Sequence, residues 1–151
     1  MLHTSVLALH IAAGVTGLML GPPAIRVALH GGRRALVTAG YVAAVTLLTA
    51  SAVVLAVMRW HALWPFALIA VATQSAVIGS WLVARRRSAG WLSWYVRLLC
   101  GSYVALVTAV LVVSWGSPLA WVLPSVVGSA LVERAAARAS GEASRLTRAA
   151  C

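Results

Sequence analysis

The chain has 151 residues, 62% of them hydrophobic and only 9% charged, with a formal net charge of +10. A soluble domain carries about a quarter charged residues, so an ordinary water-exposed surface is excluded. The basic excess comes from twelve Arg and no Lys; these fall in short gaps between apolar runs, which suits loops at a membrane face and not a nucleic-acid surface.

The apolar runs predict an all-α integral membrane bundle of five transmembrane helices. Helix one covers about 2–20. It has no Lys or Arg before its apolar run, so it reads as a retained span and not a secretory signal. Gly21-Pro22-Pro23 is expected to end it, because two prolines remove two ladder donors. A basic loop follows with Arg26, Gly31, Gly32, Arg33 and Arg34. Helix two is expected at 35–58, and helix three at 62–84 after Arg59-Trp60-His61. Helix four is expected at 94–115. It has Trp at both ends and is roughly 33 Å long, the thickness of a hydrocarbon core. Ser117 and Pro118 supply an N-cap and a first position for helix five, at 118–132. That last helix is short and carries Pro124, so a re-entrant or interfacial segment is the alternative to a full span. Residues 133–151 read as an Arg/Ala-rich cytoplasmic tail, a solvated helix-then-coil.

From the N-terminus the gaps hold no Arg, then three, one, three, none and four. The alternation predicts an outside N-terminus, a cytoplasmic C-terminus and a multi-pass protein of the cell (inner or plasma) membrane. The cytoplasmic arginine clusters would attract anionic lipid. Helices in lipid associate through small residues, and Gly17/Gly21, Gly40/Ala44, Ser75/Gly79 and Gly101/Ala105 have the required four-residue spacing.

Ionisable residues inside a bilayer are functional candidates. His10 is the only buried candidate for a metal, for an axial haem position or for a quinone pocket. Its bland reading is a hydrogen bond to a Thr or a carbonyl across the bundle. A haem held between helices usually has a second ligand, and His30 and His61 fall in loops. A metal site from His3, His10 and His61 would lack acid and Cys ligands. Arg97 reads either as an anion or quinone anchor, or as a cation snorkelling to the headgroups. Tyr41 shares a face with Thr38 and Thr49, and Gln74 sits between Thr73 and Ser75. These stripes would line a common pocket or fasten helices together. Within the bounds above, no Asp or Glu lies in a span, which leaves carboxylate-based coupling without a residue. Cys100 and Cys151 form no redox or metal spacing.

HIAAGVTGLMLGP in helix one and WYVRLLCGSYVALVTAVLVV in helix four resemble the bacterial integral-membrane proteins filed as domain of unknown function family 2306. The likeness rests on His10, Ile11 and Gly14, on Gly31, Gly32 and Arg33, and on Arg97, Gly101, Ser102 and Tyr103. It departs where the family tends to have His, at Tyr95 and at about Leu36. The resemblance implies the fold and extends to no known activity. Together these residues point to a non-catalytic binding or accessory subunit for a haem- or quinone-type ligand, using His10, Tyr41, Gln74, Arg97 and Tyr103. It would work as a homo-oligomer or beside a partner membrane subunit. A small transporter or exporter component acting as an oligomer is the alternative, motivated by Gln74 and by a break at Pro124. A membrane-embedded enzyme ranks last, since no nucleophile–base or metal set is present.

Overall fold

The computed structural model describes residues 2–29, 35–86, 90–117 and 119–149, and the side chains of these except 2, 35 and 142–149. They form five α-helices: α1 Leu2–Leu29, α2 Ala35–Met58, α3 Trp60–Arg86, α4 Trp91–Trp115 and α5 Leu119–Ala149. All five contain a stretch long and apolar enough to cross a membrane. Large apolar side chains stand on the outer surface, Met19 at 72%, Leu36 at 88% and Val113 at 75% exposure. A water-soluble fold avoids such a continuous apolar surface, and a lipid-facing one needs it. The architecture is that of a polytopic membrane bundle.

Successive helices run antiparallel, consistent with the pairs His10–Ser51, Thr49–Gln74, Gly79–Leu98 and Arg97–Glu133. Helices α1 to α4 form a closed ring in which α1 also touches α4, and α5 packs outside it on α4. Arg26, Arg85, Arg86 and Arg97 lie at or near one end of the bundle; Arg59 lies at the other. His30, Gly31, Gly32, Arg33, Arg34, Arg87 and Pro118, which the basic loops and the cap of helix five include, lie outside the described residues.

Near the arginine-rich end the core is dense. Ala24, Tyr41, Val45, Val77, Leu99 and Leu106 are buried together there. A second cluster joins Val96 and Cys100 of α4 to Ala136 and Ala139 of α5. Alanines let the two backbones approach closely, which replaces the hydrophobic driving force that lipid removes. Gly21 and Gly128 are the tightest points. A Cβ at Gly21 would fall within the Tyr103 ring, and one at Gly128 would lie 2.5 Å from Val104 Cγ1. Gly101 behaves differently from its expected role in helix packing, because nothing lies within 4 Å of the position its Cβ would take.

Three expectations about the helices are corrected. Helix α1 does not stop at Gly21 but continues through Pro22 and Pro23 to Leu29. Each proline removes one ladder donor, and neighbouring helices hold the backbone in register, as membrane helices allow. Helix α5 is not fifteen residues long and is unbroken at Pro124: it has 31 residues, 23 of which make a candidate span from Leu119 to Gly141. The apolar run ends at Val132, but Ala-rich sequence with good helix propensity carries the helix beyond it. In consequence Glu133 falls inside a candidate span, against the expectation that no carboxylate does. Helix α4 ends as expected: Gly116 adopts φ 59° and its N–H bonds Val112 O at 3.0 Å, a left-handed cap that favours glycine. Ser117 then caps α5, its hydroxyl accepting from Leu119 N–H at 3.3 Å.

Candidate functional site: an apolar cavity facing His10

Away from the arginine-rich end the ring of α1 to α4 opens into a cavity of about 480 Å³. Its walls are almost wholly apolar and come from all four helices. The polar exceptions are His10, Thr49, Thr73 and Ser114. Leu7, Ile11 and Val15 on α1 and Val110 and Val113 on α4 line it and are also exposed. The cavity therefore opens sideways between α1 and α4, towards the lipid. Apolar walls with a few placed polar groups are the usual form of a small-molecule site.

His10 is the polar group whose chemistry the fold has set. Its Nδ1 lies 3.2 Å from the Leu48 carbonyl oxygen and 3.0 Å from Ser51 Oγ. Ser51 itself donates to Leu48 O at 2.9 Å. A carbonyl only accepts, so in this arrangement the proton is on Nδ1, leaving Nε2 as a bare acceptor. Nε2 has no protein hydrogen-bond partner among the described residues. The bond across the bundle expected of a structural His is thus present, to a carbonyl and a Ser, and it leaves one nitrogen free. Thr73, 6% exposed, makes no hydrogen bond among the described residues. Its hydroxyl can either donate to or accept from a ligand.

The other expected site residues are scattered through the bundle. Tyr41 is 1% exposed and shares a 2.9 Å hydrogen bond with Ser102 Oγ in the dense core. Gln74 is bonded to α2 at both ends of its amide: its Oε1 accepts from Thr49 Oγ1 at 2.8 Å, and its Nε2 donates to Thr46 Oγ1 at 3.2 Å. It fastens α2 to α3. Tyr103 packs against Gly21 and the dense core. Arg97 donates to Glu133 at 2.8 Å and stands over the Trp94 ring at 5.5 Å. Arg97 is therefore tied to α5 through Glu133. Of the five, only His10 reaches the cavity.

His3, His10 and His61 do not assemble, and no group of three or more His, Cys, Asp or Glu among the described residues could hold a metal ion. Sequence reasoning missed Ser51 and Glu133. Ser51 looked like one more hydroxyl in an Ala-rich helix, and its meaning came only from the packing of α1 on α2. Glu133 lay one residue beyond the apolar run, so hydropathy assigned it to the tail. Comparison with known proteins returns no matching family model, no matching curated protein and no matching solved structure.

Proposed function

We propose that the protein is a non-catalytic binding or accessory subunit of the cell membrane that takes up a quinol-type lipid into the α1–α4 cavity. The observation that carries this reading is the contact of His10 Nδ1 with the Leu48 carbonyl and the Ser51 hydroxyl on the wall of the cavity. With a proton on Nδ1 shared by Leu48 and Ser51, Nε2 is left as an acceptor on a side chain that lines an apolar cavity. A hydroquinone brings hydroxyl donors on an apolar body and satisfies that acceptor. An oxidised quinone brings only carbonyl acceptors and leaves Nε2 without a partner. The reduced form is therefore the preferred ligand. Thr73 supplies a second polar contact deeper in the cavity.

A haem is supported less well. Its iron has His10 Nε2 and no second nitrogen ligand, and its propionates have no arginine among the cavity residues. The transporter reading loses both of its motives, since the Gln74 amide is occupied within the bundle and α5 continues through Pro124. On the favoured reading the N-terminus lies outside and the arginine-rich end faces the cytoplasm, supported by the arginine alternation. The cavity then opens in the outer leaflet.

The test is binding of decyl-substituted benzoquinone, oxidised and reduced, to protein in lipid nanodiscs. We expect saturable binding tighter for the hydroquinone, and about tenfold loss in His10→Ala, the worth of one good hydrogen bond. Equal binding by His10→Ala, or preference for the oxidised form, would overturn the reading. A Soret band that disappears in His10→Ala would replace the quinol with haem.

A further inference from the structure

A second cavity of about 460 Å³ lies between α4 and α5, separate from the first in its chemistry. Ser125, Ser129 and Glu133 recur every four residues along one face of α5, with Trp121 one step further towards the opposite end. Thr108 and Gly101 face them from α4. The hydroxyl protons are already engaged by each residue's own helix: Ser125 donates to Trp121 O at 2.8 Å, Ser129 to Val126 O at 3.0 Å and Thr108 to Val104 O at 2.9 Å. What these groups turn to the cavity is therefore lone pairs. Glu133 adds a carboxylate. Its Oε2 accepts from Arg97, while Oε1 has no partner among the described residues and the side chain is 60% exposed. No arginine is among the lining residues.

The Glu133 and Ser129 end of the cavity offers acceptors, while the indole N–H of Trp121, the one donor left among the lining side chains, stands twelve residues away along α5, so the acceptor end suits a ligand that brings N–H donors. We propose that the α4–α5 groove binds a lipophilic primary ammonium, its N–H groups on Glu133 Oε1 and the Ser129 hydroxyl and its apolar body along Gly101 and Trp121. Arg97 is a positioning residue here, holding the carboxylate by one oxygen and leaving the other unpaired among the described residues. A carboxylate has lone pairs enough for both partners, and charge-assisted hydrogen bonds of this kind are the strong ones. The absence of a Cβ at Gly101 keeps the groove open, because the nearest atoms lie beyond 4 Å. This site stands independently of the quinol reading.

The experiment uses the full chain in phosphatidylcholine nanodiscs, titrated with dodecylammonium and read by tryptophan fluorescence. Trp121→Phe identifies the contribution of the groove. We expect saturable binding that falls about tenfold in Glu133→Gln, the loss of one charge-assisted bond. Gly101→Leu, which places bulk in the groove from α4, should lose binding to a similar extent, and His10→Ala should retain it. Dodecyltrimethylammonium, which has the charge but no N–H, should bind several-fold more weakly. Unsaturable uptake, or equal binding by Gly101→Leu, would overturn the proposal even if Glu133→Gln fails to fold. Equal affinity for the trimethylammonium probe would overturn the donor requirement. No binding, with a change of oligomeric state in Gly101→Leu, would make the groove a contact between copies and overturn the proposal.

Discussion

Arg97 Nη2 lies 2.8 Å from Glu133 Oε2, and this bond joins α4 to α5 within their candidate membrane spans. Arg97 Nε is enclosed and without a partner, so the guanidinium leans on its one carboxylate. The pair is half-exposed, at 38% for Arg97 and 60% for Glu133, which places it between a surface and a buried ion pair. Glu133→Leu should therefore cost about 1–2 kcal/mol, above the surface value and below the buried one. Arg97→Leu/Glu133→Leu should cost less than the sum of the single changes. A double-mutant cycle on unfolding in mixed micelles measures the coupling, and additivity would show that the pair contributes nothing.

Gly21 and Tyr103 occupy one volume between α1 and α4. Gly21→Ala pushes a methyl into the Tyr103 ring, so the helices must separate or the ring must move. The expected loss is about 1–3 kcal/mol, the range for overpacking. Adding Tyr103→Ala should recover part of it, because the obstacle is then gone. Gly101→Ala serves as the contrast and should be close to neutral, since its Cβ enters open space. Thermal denaturation of the three variants tests the set. Equal losses at Gly21 and Gly101 would contradict it.

Tyr41→Phe removes a hydroxyl that Ser102 shares at 2.9 Å, while Ser102 keeps its bond to Leu99 O at 2.7 Å. One buried interhelical bond is lost and no serine is orphaned. The cost should be about 0.5–1.5 kcal/mol with helicity unchanged. A larger loss, seen in the unfolding midpoint, would mean that the ring itself moves.

Gln74→Leu removes two bonds to α2, from Thr49 and to Thr46. We expect a loss of about 1 kcal/mol, because membrane interhelical hydrogen bonds are worth about 0.6 each on average. Quinol binding should be unchanged, since Gln74 is absent from the cavity lining. Loss of ligand binding with stability retained would return Gln74 to the site.

Thr73→Val keeps the shape of a cavity-facing side chain and removes its unused hydroxyl. Binding of the hydroquinone probe should weaken several-fold, less than for His10→Ala, and the fold should be as stable or slightly more so. A ΔΔG of about 0.5–1.5 kcal/mol is the expectation for one neutral hydrogen bond. Titration of both variants side by side ranks the two contacts.

Composition and hydropathy alone determined that this chain makes apolar helices, four of them long enough to cross a bilayer and a fifth read as short. Hydropathy is a property of each segment by itself, and the bilayer thickness sets a length that a sequence can be measured against. His10 stood out on the same ground, as an ionisable side chain in an apolar run. Where the helices end was less legible. The apolar run of helix five stops at Val132 but its backbone ladder does not, and Pro22-Pro23 interrupts donors in α1 without ending it. Local signals mark where a helix can stop, and packing decides whether it does. Only the tertiary structure showed that His10 meets Leu48 and Ser51, that Arg97 meets Glu133, and that Gln74 is occupied by α2. Each of these pairs is between 25 and 41 residues apart in sequence. Such partnerships depend on which faces of two helices are opposed, and that is set by the rotation of each helix against its neighbours.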